Sequence, residues 1–208
     1  MLDAFINRIA TANPPHDVHD AFLRFGQLML KDDSRRVALF DRMADRSGIT
    51  HRYSFLKPLG GGAVDTEGFY RLGAFPDTAA RMRKFEACAP GLAVEAVEKL
   101  LDGEDRSRIT HVIVTSCTGF SAPGLDLALV ERCGLSPSVE RTMVGFMGCY
   151  AAINALKLAR HIVRSEPGAR VLAVNLELCT LHLHETADME EILSFLLFAD
   201  GCAAALIS

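Results

Sequence analysis

Three short stretches of this chain, 112–115, 171–174 and 203–207, are continuously apolar but for Thr115. Strands that are apolar on both sides belong to a sheet covered on both faces, as in α/β proteins. Between them lie segments with apolar residues every three to four positions. In order, the pattern predicts a strand over 4–11, a helix over 17–30 with Asp17 as its N-cap, and a helix over 34–48 with Gly48 at its C-terminal end. A glycine- and aromatic-rich stretch without clear period follows at 49–75. Then come a helix over 77–103, broken near Pro90, a strand at 110–117, a short helix at 124–134 closed by glycine, and a strand at 141–147. A helix at 149–164, a strand at 169–178, a helix at 188–198 and a strand at 202–208 complete the series. The helix at 149–164 carries Ala151, Ala152, Ile153, Ala155, Leu156, Leu158 and Ala159 in its first half. That composition is apolar nearly all round and predicts a buried helix. Lys157, Arg160, His161 and Arg164 gather toward its C-terminal half, where they suit the helix dipole.

Composition narrows the classes. The 208 residues fit one large domain or two small ones, and half of them are hydrophobic. A mean hydropathy of +0.19 is rich for a free-standing monomer. Acidic residues exceed basic ones by only 26 to 22, which points away from nucleic acid and anionic membranes as partners. No apolar run reaches the length of a membrane span, and the opening MLDAFINRIA lacks the layout of a signal peptide, so a cytoplasmic protein is expected. The chain shows no low-complexity segment, linker or internal repeat.

The cysteines stand at 88, 117, 133, 149, 179 and 202, with no CxxC pair. This spacing argues against a disulfide framework and against a zinc site. Cys88, Cys133 and Cys202 read as small buried hydrophobes. Cys149 differs. An apolar strand ends at Gly148, the cysteine follows, and a helix begins at once. A helix N-terminus offers free backbone N–H groups and the positive end of the dipole, both of which stabilise a thiolate nucleophile. Gly148 lets the backbone turn sharply. This is the layout of a nucleophile elbow built on sulfur. On the residues alone, a packed structural thiol remains the alternative.

Several segments together resemble the type III polyketide synthases, the chalcone- and stilbene-synthase-like enzymes of the thiolase fold. They are ATANPPHDVHDAF, FDRMADRSGITHRY, SCTGFSAPGLD, GFMGCYAA and LFADGCAAALI, in family order along the whole chain. The resemblance implies an α/β, thiolase-like N-terminal half over 1–208, with a mixed, mainly parallel-type sheet covered by helices on both faces. It implies an acyltransferase that condenses an acyl-CoA starter with malonyl-CoA through a cysteine thioester, with Cys149 as nucleophile. Phe198 matches the gatekeeper phenylalanine between CoA tunnel and cavity; without the flanking match it would read as a core phenylalanine. Arg42 and Arg46 match positions that contact CoA phosphates, or else form a solvated helix face. A further basic position of the family falls on Leu39. Cys117, Cys179 and His182 fall at cavity positions that are mostly threonine in plant relatives, and Ala122 where those have methionine.

No metal or other cofactor is implied, acyl-CoA and malonyl-CoA being substrates. His182 and His184 form a His-x-His pair, but nothing else supports a metal; His182 reads as cavity wall and His184 as loop. The family is built of two similar thiolase halves and works as a homodimer, and its catalytic histidine and asparagine come from the second half. This chain resembles the first half, so the nucleophile is expected without the full machinery. The smaller Ala122 and the softer Cys179 favour an apolar tunnel and a medium- to long-chain acyl starter, against which the bulk of His182 works. Two other classes stay open: a β-ketoacyl carrier-protein synthase III-like enzyme, and a non-catalytic half-domain.

Overall fold

A computed structural model describes residues 3–59 and 64–208, so positions 60–63 of the glycine-rich stretch lie outside the described residues. In chain order the elements are β1 (Ile6–Ala12), β2 (His16–Asp17), α1 (His19–Met29), α2 (Ser34–Ser47), β3 (Tyr53–Ser54), α3 (Thr78–Leu100), β4 (His111–Ser116), α4 (Leu125–Arg132), β5 (Glu140–Gly145), α5 (Ala151–Ser165), β6 (Val171–Leu178), α6 (Met189–Phe195) and β7 (Asp200–Ile207). Short 3-10 turns stand at Arg106–Arg108, Gly148–Tyr150 and Cys179–His182. The chain divides into two units. One comprises the described residues up to 13 together with 82–177 and 201–208; the other comprises 14–81 and 178–200.

The first unit is built on a five-stranded sheet of order β1-β7-β6-β4-β5. β4 pairs in parallel with both β5 and β6, and β1 runs antiparallel to β7, so the sheet is mixed. Ile113 of β4, Val171 and Ala173 of β6, and Ala205 and Ile207 of β7 share one face, where they pack with Ala155, Ala159 and Val163 of α5. The alternate residues Val112, Val114, Leu172, Val174, Ala204 and Leu206 are equally buried on the other face. Both faces are therefore covered, and the near-continuous apolar runs follow from that. The outer strands β1 and β5 are mostly exposed.

The second unit consists of α1, α2, α6, the β2–β3 ribbon and the turn at Cys179–His182. Val18, Phe22, Phe25, Leu56, Tyr70 and Leu183 form one cluster. Leu30, Phe40, Ile192 and Leu196 form another. α1 and α2 approach closely at Gly26: a Cβ there would stand 2.5 Å from Cζ of Phe40. Asp33 caps α2 by accepting from the amides of Arg35 and Arg36, and Gly48 closes it in the left-handed region at φ 66°, as its position in the pattern indicates.

Four expectations need correction. α3 runs unbroken through Pro90. Proline forfeits one backbone hydrogen bond, but the buried Ala89, Leu92, Ala93 and Ala96 around it hold the helix to its packing. Asp17 is not the cap of α1. Val18 occupies that position, and Asp17 lies one residue earlier in β2, where it accepts from the amides of His19 and Arg52 and bonds His51. α5 is not buried all round: Ala151, Ala155, Ala159 and Val163 form a buried stripe four residues apart, while Ile153 is half exposed. α6 stops at Phe195, leaving 196–197 as a turn and Phe198 in the irregular chain after it.

Candidate active site

β5 delivers the chain to the carboxyl end of the sheet, the end at which open α/β folds bind ligands. There the backbone turns twice into the left-handed region, at Phe146 (φ 56°) and at Gly148 (φ 64°). For phenylalanine this conformation costs about 1–2 kcal/mol; glycine adopts it freely. Gly148 opens the 3-10 turn Gly148–Tyr150, whose middle residue is Cys149, and the amide of Ala151 bonds the Gly148 carbonyl as α5 begins. Cys149 thus stands within a short turn ahead of α5 rather than on its first turn, and it is exposed. Phe146, 70% exposed, packs edge-on against Phe120 at 5.9 Å between ring centres. Met147, Tyr150 and Ile153, near Cys149 in the chain, are likewise exposed apolar side chains.

A second loop meets the first. Ser116 of β4 pairs with Gly145 of β5, and the half-buried Cys117 donates its thiol hydrogen to the Gly148 carbonyl at 3.5 Å. Glu177, from β6, holds this loop in place. Its carboxylate accepts from the Cys117 amide at 3.0 and 3.1 Å and from the Thr118 hydroxyl at 2.7 Å. Ala122 is exposed on the turn before α4, and its peptide bond to Pro123 is cis. Asp126, four residues on, is buried and ion-paired to Arg141 of β5 at 2.5 Å. Cys149, Cys117 and Ala122 all belong to the first unit.

Cys133 and Cys202 are buried, as read from the sequence, and burial pushes their thiols up to about 11 and about 12. Cys88 is only half-buried on α3, a departure from the sequence reading that follows from its place at the margin of the packed stripe.

The remaining candidates belong to the second unit. Cys179 opens the turn Cys179–His182; Cys179 and His182 are half-buried and His184 is exposed. The turn is clamped by polar groups. Thr180 donates from its amide and its hydroxyl to Asp200, at 2.7 Å each, and shares a 2.7 Å hydrogen bond with Ser54. Tyr70 donates to the Thr180 carbonyl and accepts from the Leu183 amide. Arg81 donates to the carbonyls of Leu181 and Leu183 at 2.7 and 2.8 Å. Burial pushes the Asp200 carboxyl up to about 7, and burial likewise lowers Arg52 to about 10. Phe198 stands 45% exposed just past the turn after α6. Arg42 and Arg46 are exposed one turn apart on α2. Arg46 lines an apolar groove of about 360 Å³ with Met43, Leu193 and Leu197. Leu39 lies exposed one turn before Met43.

Sequence reasoning missed Glu177, Arg81, Thr180 and Asp200. A glutamate inside an otherwise apolar strand was the one available signal for Glu177. Arg81 and Asp200 stand at the starts of α3 and β7 and Thr180 in a short turn, and most of their partners are far away in sequence.

The family model for the N-terminal domain of chalcone and stilbene synthases matches residues 4–208. The chain is 36% identical over 208 residues to a protein of Mycobacterium tuberculosis named "Alpha-pyrone synthesis polyketide synthase-like Pks18", over 98% of this chain and 51% of the relative. A Mycobacterium bovis protein of the same name matches to the same extent. The chain spans about half the length of these relatives. The crystal structure of the C-terminal type III polyketide synthase domain of "Steely1", a type I/III hybrid from Dictyostelium, superposes with a TM-score of 0.88 at 25% identity, over 100% of this chain and 56% of that one. The thiolase-like α/β fold expected from the sequence is thereby established.

Proposed function

The chain belongs to the chalcone and stilbene synthase family through that family's N-terminal domain, and on that footing we propose that it supplies the nucleophile half of a condensing enzyme of polyketide biosynthesis. Cys149 attacks the carbonyl of an acyl-CoA; the carbonyl carbon gains a bond to Sγ and loses its bond to the CoA sulfur, which leaves as the thiolate. Malonyl-CoA then loses CO2, and the freed electron pair forms the new carbon–carbon bond at the thioester carbon, releasing the Cys149 sulfur. The observation that carries this reading is the exposed thiol on a left-handed glycine turn at the carboxyl end of β5, in a stretch of chain rich in exposed apolar residues.

The other assignments follow the same reading. Arg42 and Arg46 contact the CoA phosphates, and the groove beside Arg46 takes part of the CoA arm. The resemblance gives Phe198 the gatekeeper role and gives Cys117, Ala122, Cys179 and His182 each a cavity-wall position. Polarising the thioester and malonyl carbonyls is an oxyanion-hole task, which the resemblance gives to a histidine and an asparagine of a second half. A homodimer in the cytoplasm is the expected setting; no helix among the described residues is long and apolar enough to cross a membrane.

The reading is tested by incubating the chain with acyl-CoA and mapping the modified peptide by mass spectrometry. Acylation should fall on Cys149 and vanish in Cys149→Ala, while Cys133 and Cys202 stay unmodified. Acyl transfer to another residue, or none in a protein of its relatives' length, overturns it. The 208 residues alone should form no polyketide; robust product from them would refute the division of labour. Use of malonyl carrier protein in place of malonyl-CoA would favour the carrier-protein synthase class. For the starter, the small Ala122 favours aliphatic chains leading to alkyl-pyrones or alkyl-resorcinols, and the relatives' name speaks of alpha-pyrone synthesis. Each buried methylene adds about 0.8 kcal/mol, so kcat/KM should rise with chain length and Ala122→Met should lower it for the longest starters.

A further inference from the structure

At the end of the sheet opposite Cys149, three side chains that the sequence reading did not single out converge. His111 is the first residue of β4 and Glu140 the first of β5, and the parallel register sets them side by side. Glu166 follows α5 directly, in a turn fixed by bonds from its amide to Ile162 and from the Ala169 amide to its own carbonyl. His111 is only 6% exposed, and its Nε2 lies 3.6 Å from a Glu140 carboxylate oxygen and 3.5 Å from one of Glu166. One ligand atom from each residue falls within 4.8 Å of the other two.

We propose that His111, Glu140 and Glu166 bind one divalent transition-metal ion of the zinc type. Three features of the cluster point to it. Separations of 3.5 and 3.6 Å exceed an N–H···O hydrogen bond of about 2.7–3.2 Å. They match the spacing of about 3.4 Å between two ligands that each stand roughly 2.0–2.1 Å from a tetrahedral ion. The ring is also oriented from behind. Nδ1 lies 2.8 Å from the Thr110 hydroxyl, which accepts from the Arg170 amide at 2.8 Å and reaches the Arg170 carbonyl at 3.2 Å. With the hydroxyl hydrogen directed to that carbonyl, Nδ1–H donates to Thr110 and the Nε2 lone pair faces the two carboxylates. A hydrogen-bond partner behind the ring in this way fixes the tautomer of metal-bound histidines. Finally, an imidazole with two carboxylates is a borderline donor set that suits zinc, and two negative charges neutralise a divalent ion. The carboxylates reach water, with side chains 75% and 52% exposed, which leaves a path for the ion and room for a water as fourth ligand.

The site lies at the far end of β5 from the thiol, about 16 Å away along the strand. It clips the start of β4, the start of β5 and the end of α5, so its effect is on the stability of this end of the sheet and not on acyl transfer.

The test is titration of the 208-residue chain with Zn2+ by calorimetry and with Co2+ by optical absorption. One equivalent should bind, with cobalt bands of a four-coordinate N/O site and no thiolate-to-cobalt charge transfer. His111→Ala and Glu166→Gln should each weaken binding by about ten-fold or more, and Thr110→Val by about ten-fold through the ring orientation. Zn2+ should raise the Tm of the native chain but not of Glu166→Gln, whose exposed position makes its folding secure. Absence of saturable binding, a sulfur charge-transfer band, or an unchanged affinity in Glu166→Gln would overturn the proposal. Acylation of Cys149 is unaffected by any of these outcomes.

Discussion

The two units of the chain are stabilised by opposite means. In the first, β4, β6 and β7 are packed between apolar layers of valine, alanine, isoleucine and leucine. In the second, Ser54, Asp65, Tyr70, Arg52, Arg81, Thr180 and Asp200 are buried among aromatic and aliphatic groups, and much of the order rests on hydrogen bonds to carbonyls and carboxylates. Apolar packing is forgiving, because a truncated side chain loses contacts in proportion to its size. A buried polar network is not, because removing one member strands its partners without water.

Arg81→Ala tests the second unit most severely. It leaves the carbonyls of Leu181, Leu183 and Pro76 without their donor, and should cost about 3–5 kcal/mol, since hydrogen bonds to charged groups are worth about 1.5–3 kcal/mol each. Native-state amide exchange should show lost protection around Tyr70 and Leu183 while β4 and β6 stay protected. Leu172→Ala should cost about 2–4 kcal/mol, with protection lost first in the sheet. If either variant loosens both units equally, the chain unfolds as one block and the contrast fails.

A third test concerns pH. Burial raises the Asp200 carboxyl to about 7 from an ordinary value of 3.8. The folded state therefore holds a proton that the unfolded chain releases, so stability should decline as pH climbs from about 4 to about 7 and level off above that. Asp200→Asn should flatten this slope in denaturant titrations. Asp17 acts in the opposite sense. Its hydrogen bond to His51, with further help from the backbone, lowers it to about 2, so its contribution is lost only as pH falls below about 4. Because that pair is exposed, its contribution is small.

The same contrast explains what the sequence revealed. Near-continuous apolar runs announced β4, β6 and β7, since burial on both faces leaves a mark at every position. Gly48 and the Gly148–Cys149 junction were legible because glycine marks a backbone that must turn. The buried stripe of α5 was not: Ala151, Ala155 and Ala159 face the sheet, yet Ile153 and Leu156 are as apolar and face outward or half outward. Nothing in composition separates an alanine pressed on a strand from an isoleucine left in water. Thr180 and Asp200 also gave no signal, since their partners Ser54 and Tyr70 lie more than a hundred residues from the turn they clamp. The convergence of His111, Glu140 and Glu166 depends on strand register, which no local pattern records.

The elbow at 146–148 bears on which sequences this scaffold can explore. A Cβ at Gly148 would meet no atom within 4 Å; the restriction there comes from the backbone alone, so no compensating change elsewhere in the core could relieve it. Position 146 obeys the same torsional rule yet carries phenylalanine, where asparagine, aspartate or glycine would sit more easily. Under mutation the two sites would drift differently: 148 held to glycine and the few residues, such as asparagine and aspartate, that tolerate the left-handed region, 146 open to any side chain whose outward contacts offset its torsional penalty. Backbone torsion thus constrains the residue that precedes Cys149, and the surface around it is left free to diversify.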